Sequence, residues 1–167
     1  MMETLIYIAL AAVISLSIVS TGWILLNNSA KQIAVAEIND NLLFVANRLN
    51  YYLDRSSALT AATVFDVSPG KLATTYSGQN LVFDTYTKTI TLGGTNIDIT
   101  KLRVQVGSAE PVDLTSDRAS VDSFLITSLS GDVASGVRVD FSLSMVNPNN
   151  STVYAASNSA TVVTLFK

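Results

Sequence analysis

The stretch ETLIYIALAAVISLSIVSTGWILL, residues 3–26, decides how this chain is built. Glu3 is the only charged side chain in the first thirty residues, and the apolar run of residues 5–26 is interrupted only by small hydroxyl residues, Gly22, Tyr7 and Trp23. Residues 4–27 are long enough, as a helix, to cross a hydrocarbon core of roughly 30 Å. A carboxylate at the tip of such a helix is costly in lipid and calls for a partner. The pattern therefore predicts a helix that inserts in a bilayer and later packs into something else. A cleaved signal peptide fits less well, because its apolar stretch is about 7–15 residues and follows a basic start. Here no Lys or Arg precedes the run, although orientation is normally set by basic residues on the cytoplasmic side. A missing upstream segment is expected.

The helix is expected to continue beyond the membrane. Residues 29–57 contain no Pro and no Gly, and Ile38, Leu42, Val45, Leu49 and Tyr52 recur in steps of four and three, which puts them on one helical face. Glu37, Asp40, Arg48 and Asp54 fall on other faces, while Lys31 precedes the stripe. Asn27-Asn28-Ser29 lowers helix propensity without stopping a helix. One helix over residues 4–57 would be about 80 Å long. The competing organisation is a single-pass anchor followed by a separate core helix.

From Thr60 onward the period changes to two. Leu81-Val82-Phe83, Thr89-Ile90-Thr91-Leu92, Asn96-Ile97-Asp98-Ile99, Leu102-Arg103-Val104-Gln105-Val106 and residues 137–143 all read as strands. Gly93-Gly94 is a two-residue hairpin signal. Ser68-Pro69-Gly70 and Asn147-Pro148-Asn149-Asn150 are turns, and residues 152–166 supply one or two further strands. The expected fold is α+β: a long N-terminal helix, half transmembrane and half amphipathic, on an antiparallel sheet of about five to seven strands. The expected organisation is a transmembrane and assembly helix over 1–28, its amphipathic continuation over 29–58, and a β-rich head over 59–167.

Composition removes several functional classes. The chain has no cysteine and no histidine among its 167 residues. Disulfides, thiolate chemistry, the usual zinc and copper sites and Ser-His-Asp catalysis are thereby excluded. A net charge of −3, with 14% of residues charged, offers no generic attraction to nucleic acid or anionic headgroups. Asp, Glu, Lys and Tyr could still do acid/base work, but no catalytic set stands out. The chain is expected not to be an enzyme, and no cofactor is expected.

The opening Met1-Met2-Glu3-Thr4-Leu5-Ile6-Tyr7-Ile8-Ala9-Leu10 resembles the start of class III-signal proteins, the type IV pilins and type II secretion pseudopilins. In that family a short basic leader ends in Gly, and the mature chain begins Phe-Thr-Leu-Ile-Glu-Thr-Leu before an apolar helix. Glu3-Thr4-Leu5 match directly, and Met1-Met2 stand where the family has Leu-Ile. The departure is that leader, Gly and first two mature residues are absent, as they would be if internal Met codons had been taken as the start. The match is sharpest over residues 1–30. Over the head it is architectural, with a hydrophobic segment at 121–125, then 137–143, then a closing strand at 161–166, similar to minor pilins.

The resemblance implies a filament subunit drawn out of the cytoplasmic membrane, with an extracytoplasmic head that ends on the cell surface. Glu3 would neutralise the terminal amine of a neighbouring subunit and so set the assembly register. Leu5, Ile6, Ile8, Ala9, Leu10, Ala12 and Val13 would pack helix against helix. Its partners would be other pilin or pseudopilin subunits, a prepilin peptidase, a membrane assembly platform and, before assembly, the lipid bilayer, with no specific nucleic acid. Physically, an uncompensated carboxylate in lipid does favour docking against a buried cation. The plainer reading of Glu3 is a solvated carboxylate at headgroup level that complements the helix N-terminus. The alternative function is a signal-anchored extracytoplasmic binding or adhesion protein.

Weaker signals remain. Asp113, Asp117 and Asp122, with Glu110, could surround a calcium ion if their segment folded back, but clustered loop acids are usually solvated or cap turns, so no metal site is expected. Asn27-Asn28-Ser29, Asn149-Asn150-Ser151 and Asn150-Ser151-Thr152 fit glycosylation sequons, which are common by chance. Tyr51-Tyr52 reads as core packing where helix meets sheet. Ser15, Ser17 and Ser20 either pack helix against helix or bond their own backbone.

Overall fold

The computed structural model describes residues 2–130, 135–146 and 156–166. The expected turn at Asn147 to Asn150 and the two sequons that include Asn149 and Asn150 lie outside those residues, as does Met1. Among the described residues a single helix, α1 (Met2–Leu53), is followed by eight strands. The α+β layout expected from the sequence is the observed one: a long apolar helix whose second half packs on an antiparallel β domain.

Helix α1 runs unbroken through Asn27 and Asn28, with Gly22 its only glycine and no proline to interrupt its hydrogen bonds. It ends at Leu53, four residues short of the expected Ser57. Asp54 N still bonds Asn50 O at 2.9 Å, but Arg55 N turns to Tyr52 O at 3.3 Å. The Ser56 hydroxyl then donates to Tyr52 O at 2.9 Å, satisfying a terminal carbonyl. Ser56 itself pairs with Tyr76 across the first two strands, β1 (Ser56–Leu59) and β2 (Leu72–Tyr76). Sheet pairing thus overrides the absence of a local helix breaker.

The remaining strands are β3 (Gln79–Leu92), β4 (Thr95–Val106), β5 (Val112–Asp113), β6 (Ala119–Ser130), β7 (Ser135–Met145) and β8 (Ser157–Phe166). They form two antiparallel sheets, β1-β2-β3-β4-β5 and β6-β7-β8, where one sheet was expected. Strands β3 and β4 each merge two segments read separately from sequence. Gly93 and Gly94 join them in a turn with φ of 58° and 81°, the left-handed pair that a twisted two-residue hairpin requires. The sheets separate after β5. Leu114 N still bonds Leu102 O at 2.8 Å, and the next turn is captured by the helix, where Asn41 Oδ1 accepts from Ser116 N at 3.0 Å.

One apolar cluster joins the helix to both sheets. Ile38, Leu42, Val45 and Leu49 are buried as the stripe predicts, and Ala34 and Leu53 extend it at either end. They meet Phe83 and Leu102 of the first sheet and Phe124, Val139, Phe141 and Val162 of the second. Each large aliphatic or aromatic side chain in this seam contributes roughly 1.5–3 kcal/mol of burial. Tyr52 is only half-buried, its ring stacking edge-on to Tyr76 at 5.3 Å and Phe83 at 5.9 Å. Tyr51 does not enter the core; it stays exposed with the Arg55 guanidinium 4.0 Å above its ring.

Candidate assembly helix

The first half of α1 has no intramolecular cover. Residues 2–21 are all exposed, with Leu5 at 67% and Val13 at 64%. Ile6, Ile8, Ala9, Leu10 and Ala12 share that state. The 18-residue window that qualifies this helix as long and apolar enough to cross a membrane has none of its residues buried. A core helix hides such a surface inside its own protein, so here the medium or another chain must take it. Glu3 sits in the first helical turn, where the exposed N–H groups favour an anion.

Three hydroxyls inside this segment take the local option. Ser17 Oγ donates to Val13 O at 3.0 Å, Ser20 Oγ to Ser17 O at 3.0 Å and Thr21 Oγ1 to Ser17 O at 2.8 Å. These bonds satisfy the three hydroxyls within the helix, so that they add little polarity to its apolar surface. The Asn27-Asn28-Ser29 sequon lies inside the same continuous helix.

Above Ser29 the helix carries a second, smaller apolar patch that the stripe reading missed. Ile33 (62%), Leu43 (58%) and Phe44 (46%) remain exposed. With Ala36, Asp40 and Asn47 they occupy the side turned away from the buried stripe, given about 3.6 residues per turn. Asp40 is the only charge in that set, and Asn47 closes the patch with a polar group at its upper end. The signal was present in the sequence, because Ile33, Ala36 and Leu43 follow helical spacing as the core stripe does.

Polar residues at the margins of the stripe hold the head on the helix. Glu37 Oε2 accepts from Arg118 Nη1 at 3.1 Å, and Asn39 Oδ1 accepts from Asn158 Nδ2 at 2.7 Å. Asn41 turns its other group back to Glu37 O at 2.8 Å, which fixes the amide for its bond to Ser116.

The acids proposed from sequence for calcium do not converge. Asp117 Oδ1 lies 2.8 Å from Lys101 Nζ and 3.0 Å from Lys88 Nζ, and Asp113 Oδ2 is 3.8 Å from Lys101. Asp113 also accepts from the Tyr86 hydroxyl at 2.9 Å. Asp122 is elsewhere, accepting from Ser144 Oγ at 2.7 Å. The bonds from Lys101 and then Lys88 hold the Asp117 carboxyl below the usual carboxylate range, and that bond to Asp117 raises Lys88. Among the described residues no group of three or more His, Cys, Asp or Glu is placed to hold a metal.

No protein-family model matches the chain, and neither the curated proteins nor the solved structures include a match to it.

Proposed function

We propose that this chain is a structural subunit of a type IV pilus-like or pseudopilus-like filament, anchored in a membrane before assembly. The observation that carries the proposal is the two-part helix, bare over its first half and packed into a β-rich head over its second. That form gives the chain one surface for lipid or other helices and another for display. The apolar patch at Ile33, Leu43 and Phe44 extends the bare surface past the bilayer and suits packing against further copies.

In this reading Glu3 sets register. Its carboxylate is costly in lipid, and docking against a cation of a neighbouring chain removes that cost. Leu5, Ile6, Ile8, Ala9, Leu10, Ala12 and Val13 then exchange lipid for helix contacts, where Ala permits close approach. The partners are other copies or related subunits, a prepilin peptidase and a membrane assembly platform. The head faces the extracytoplasmic side and ends on the surface of the filament.

The test is the intact mass and N-terminal peptide of the protein isolated from its native membrane. A methylated terminus two residues upstream of Met1 is expected. An unprocessed N-terminus at Met1 would favour a signal-anchored binding protein instead.

A further inference from the structure

The β3–β4 hairpin extends beyond every other strand of its sheet. Strand β2 covers β3 only as far as Phe83, and β5 covers β4 only at Arg103 and Val104. The outer pairs Thr89↔Asp98, Ile90↔Ile97, Thr91↔Asn96 and Leu92↔Thr95 are flanked by no further strand among the described residues. This arm is amphipathic. On one face Thr89 Oγ1 bonds Asp98 at 2.6 Å and Thr91 Oγ1 bonds Asn96 at 2.8 Å. On the other, Ile90, Leu92 and Ile97 are only partly buried. Of the residues in these pairs only Asp98, at the base of the arm, is charged.

The arm's direction follows from three contacts. Phe83 is level with Tyr52 near the end of α1, their rings 5.9 Å apart. Five residues later, Lys88 bonds Asp117, whose neighbours Ser116 and Arg118 bond Asn41 and Glu37. β3 therefore runs back along the helix toward its N-terminus. Five more residues, about 17 Å at 3.4 Å each, carry the chain to Gly93. That distance equals about eleven helical residues at 1.5 Å each. Continued along the same line, the strand would bring the turn near the height of Asn28, where the apolar segment ends.

We infer that the tip of this hairpin, Leu92 with Ile90 and Ile97, rests on the headgroup region of the bilayer while the chain is membrane-anchored. The inference rests on the anchor half of the function proposed above. The partner is a lipid surface, and a zwitterionic one suffices, because the tip offers aliphatic side chains and hydrogen-bonding groups without charge. A helix alone leaves the head free to tilt; a second contact on the bilayer fixes its attitude.

The experiment uses the full chain in phosphatidylcholine vesicles, with and without lipid brominated on the upper acyl carbons. Native Trp23 reports on the anchor. In a Trp23→Phe background, Leu92→Trp reports on the tip, Thr95→Trp gives a second tip probe, and Val112→Trp, on the exposed β5 strand, is the reference. Brominated lipid is expected to quench Trp23 and the indoles at 92 and 95, while sparing the one at 112. Quenching of Trp23 with none at 92 or 95 overturns the tip contact and leaves the anchor standing. Equal quenching at 92, 95 and 112 also overturns it, since the whole head would then lie on the membrane. Absence of quenching at Trp23 overturns the anchor and the tip contact together.

Discussion

The side chain of Lys101 is buried to 2% exposure, yet its ammonium lies 2.8 Å from the carboxylate of Asp117, whose side chain is 58% exposed. The burial cost of the cation is offset by a partner on the rim and by Asp113 at 3.8 Å. Around them Lys88, Arg103 and Asp84 complete a set of three positive and three negative side chains that ties β3 and β4 to β5 and the segment after it. Removing the carboxylate of Asp117 leaves Lys101 undercompensated. Asp117→Asn is expected to destabilise the head by about 1–2 kcal/mol, a figure discounted for the exposure of Asp117. Equilibrium urea unfolding checks it, and an unchanged midpoint would contradict it.

The same group sets a pH dependence. The bond from Lys101, with a second from Lys88, holds the Asp117 carboxyl below its ordinary range. The Thr161 hydroxyl, with Arg138, does the same for Asp140. Both groups bind protons less readily folded than unfolded. Their stabilisation is therefore complete above the unfolded carboxylate value, about pH 4, and is lost as pH falls through the lower folded values. Tm should drop on acidification below about pH 4, with a shallower drop in Asp117→Asn. Parallel curves for the two proteins would show that Asp117 is not a source of the slope.

A fragment starting at Ala30 is expected to be a soluble monomer with mixed helix and strand, because the buried stripe and both sheets lie within it. Circular dichroism showing a mainly disordered chain would contradict this. In that fragment Leu49→Ala, at a side chain with 0% exposure, should cost about 2–5 kcal/mol. A loss below about 1 kcal/mol, the range of an ordinary surface change, would mean that the helix is not part of the head's core.

At the hairpin tip, Gly94 adopts φ of 81° with nothing near a would-be Cβ. Any penalty there comes from backbone conformation and not from crowding. Gly94→Val should cost about 1–2 kcal/mol, whereas Gly93→Asn should be nearly neutral, since Asn tolerates the left-handed region. Equal costs at the two positions would argue against the turn geometry.

Much of this fold was legible in the sequence, and the failures share a cause. The membrane-length run, the stripe from Ile38 to Leu49 and the Gly93-Gly94 turn are local patterns, and each appears where its periodicity or turn chemistry put it. Helix termination at Leu53 was not legible, because Ser56 leaves the helix to pair with Tyr76, a choice made by distant residues. The continuity of β3 was hidden by Asp84, Tyr86 and Lys88, which look like loop residues until Arg103, Asp113 and Asp117 are brought beside them. Two of those acids, Asp113 and Asp117, also suggested an ion site, since nothing in the sequence places Lys101 between them. The exposed patch at Ile33, Leu43 and Phe44 was legible and overlooked, because a single stripe was enough to explain a helix lying on a sheet.

Glu3 tests the filament reading most directly. In cells that assemble filaments, Glu3→Ala in the full-length protein should leave membrane insertion intact and sharply reduce the chain's recovery in sheared surface filaments. Membrane amounts equal to wild type, with the variant depleted from the filament fraction, is the predicted result. Recovery of the variant in filaments at the wild-type level would contradict the assembly role of Glu3.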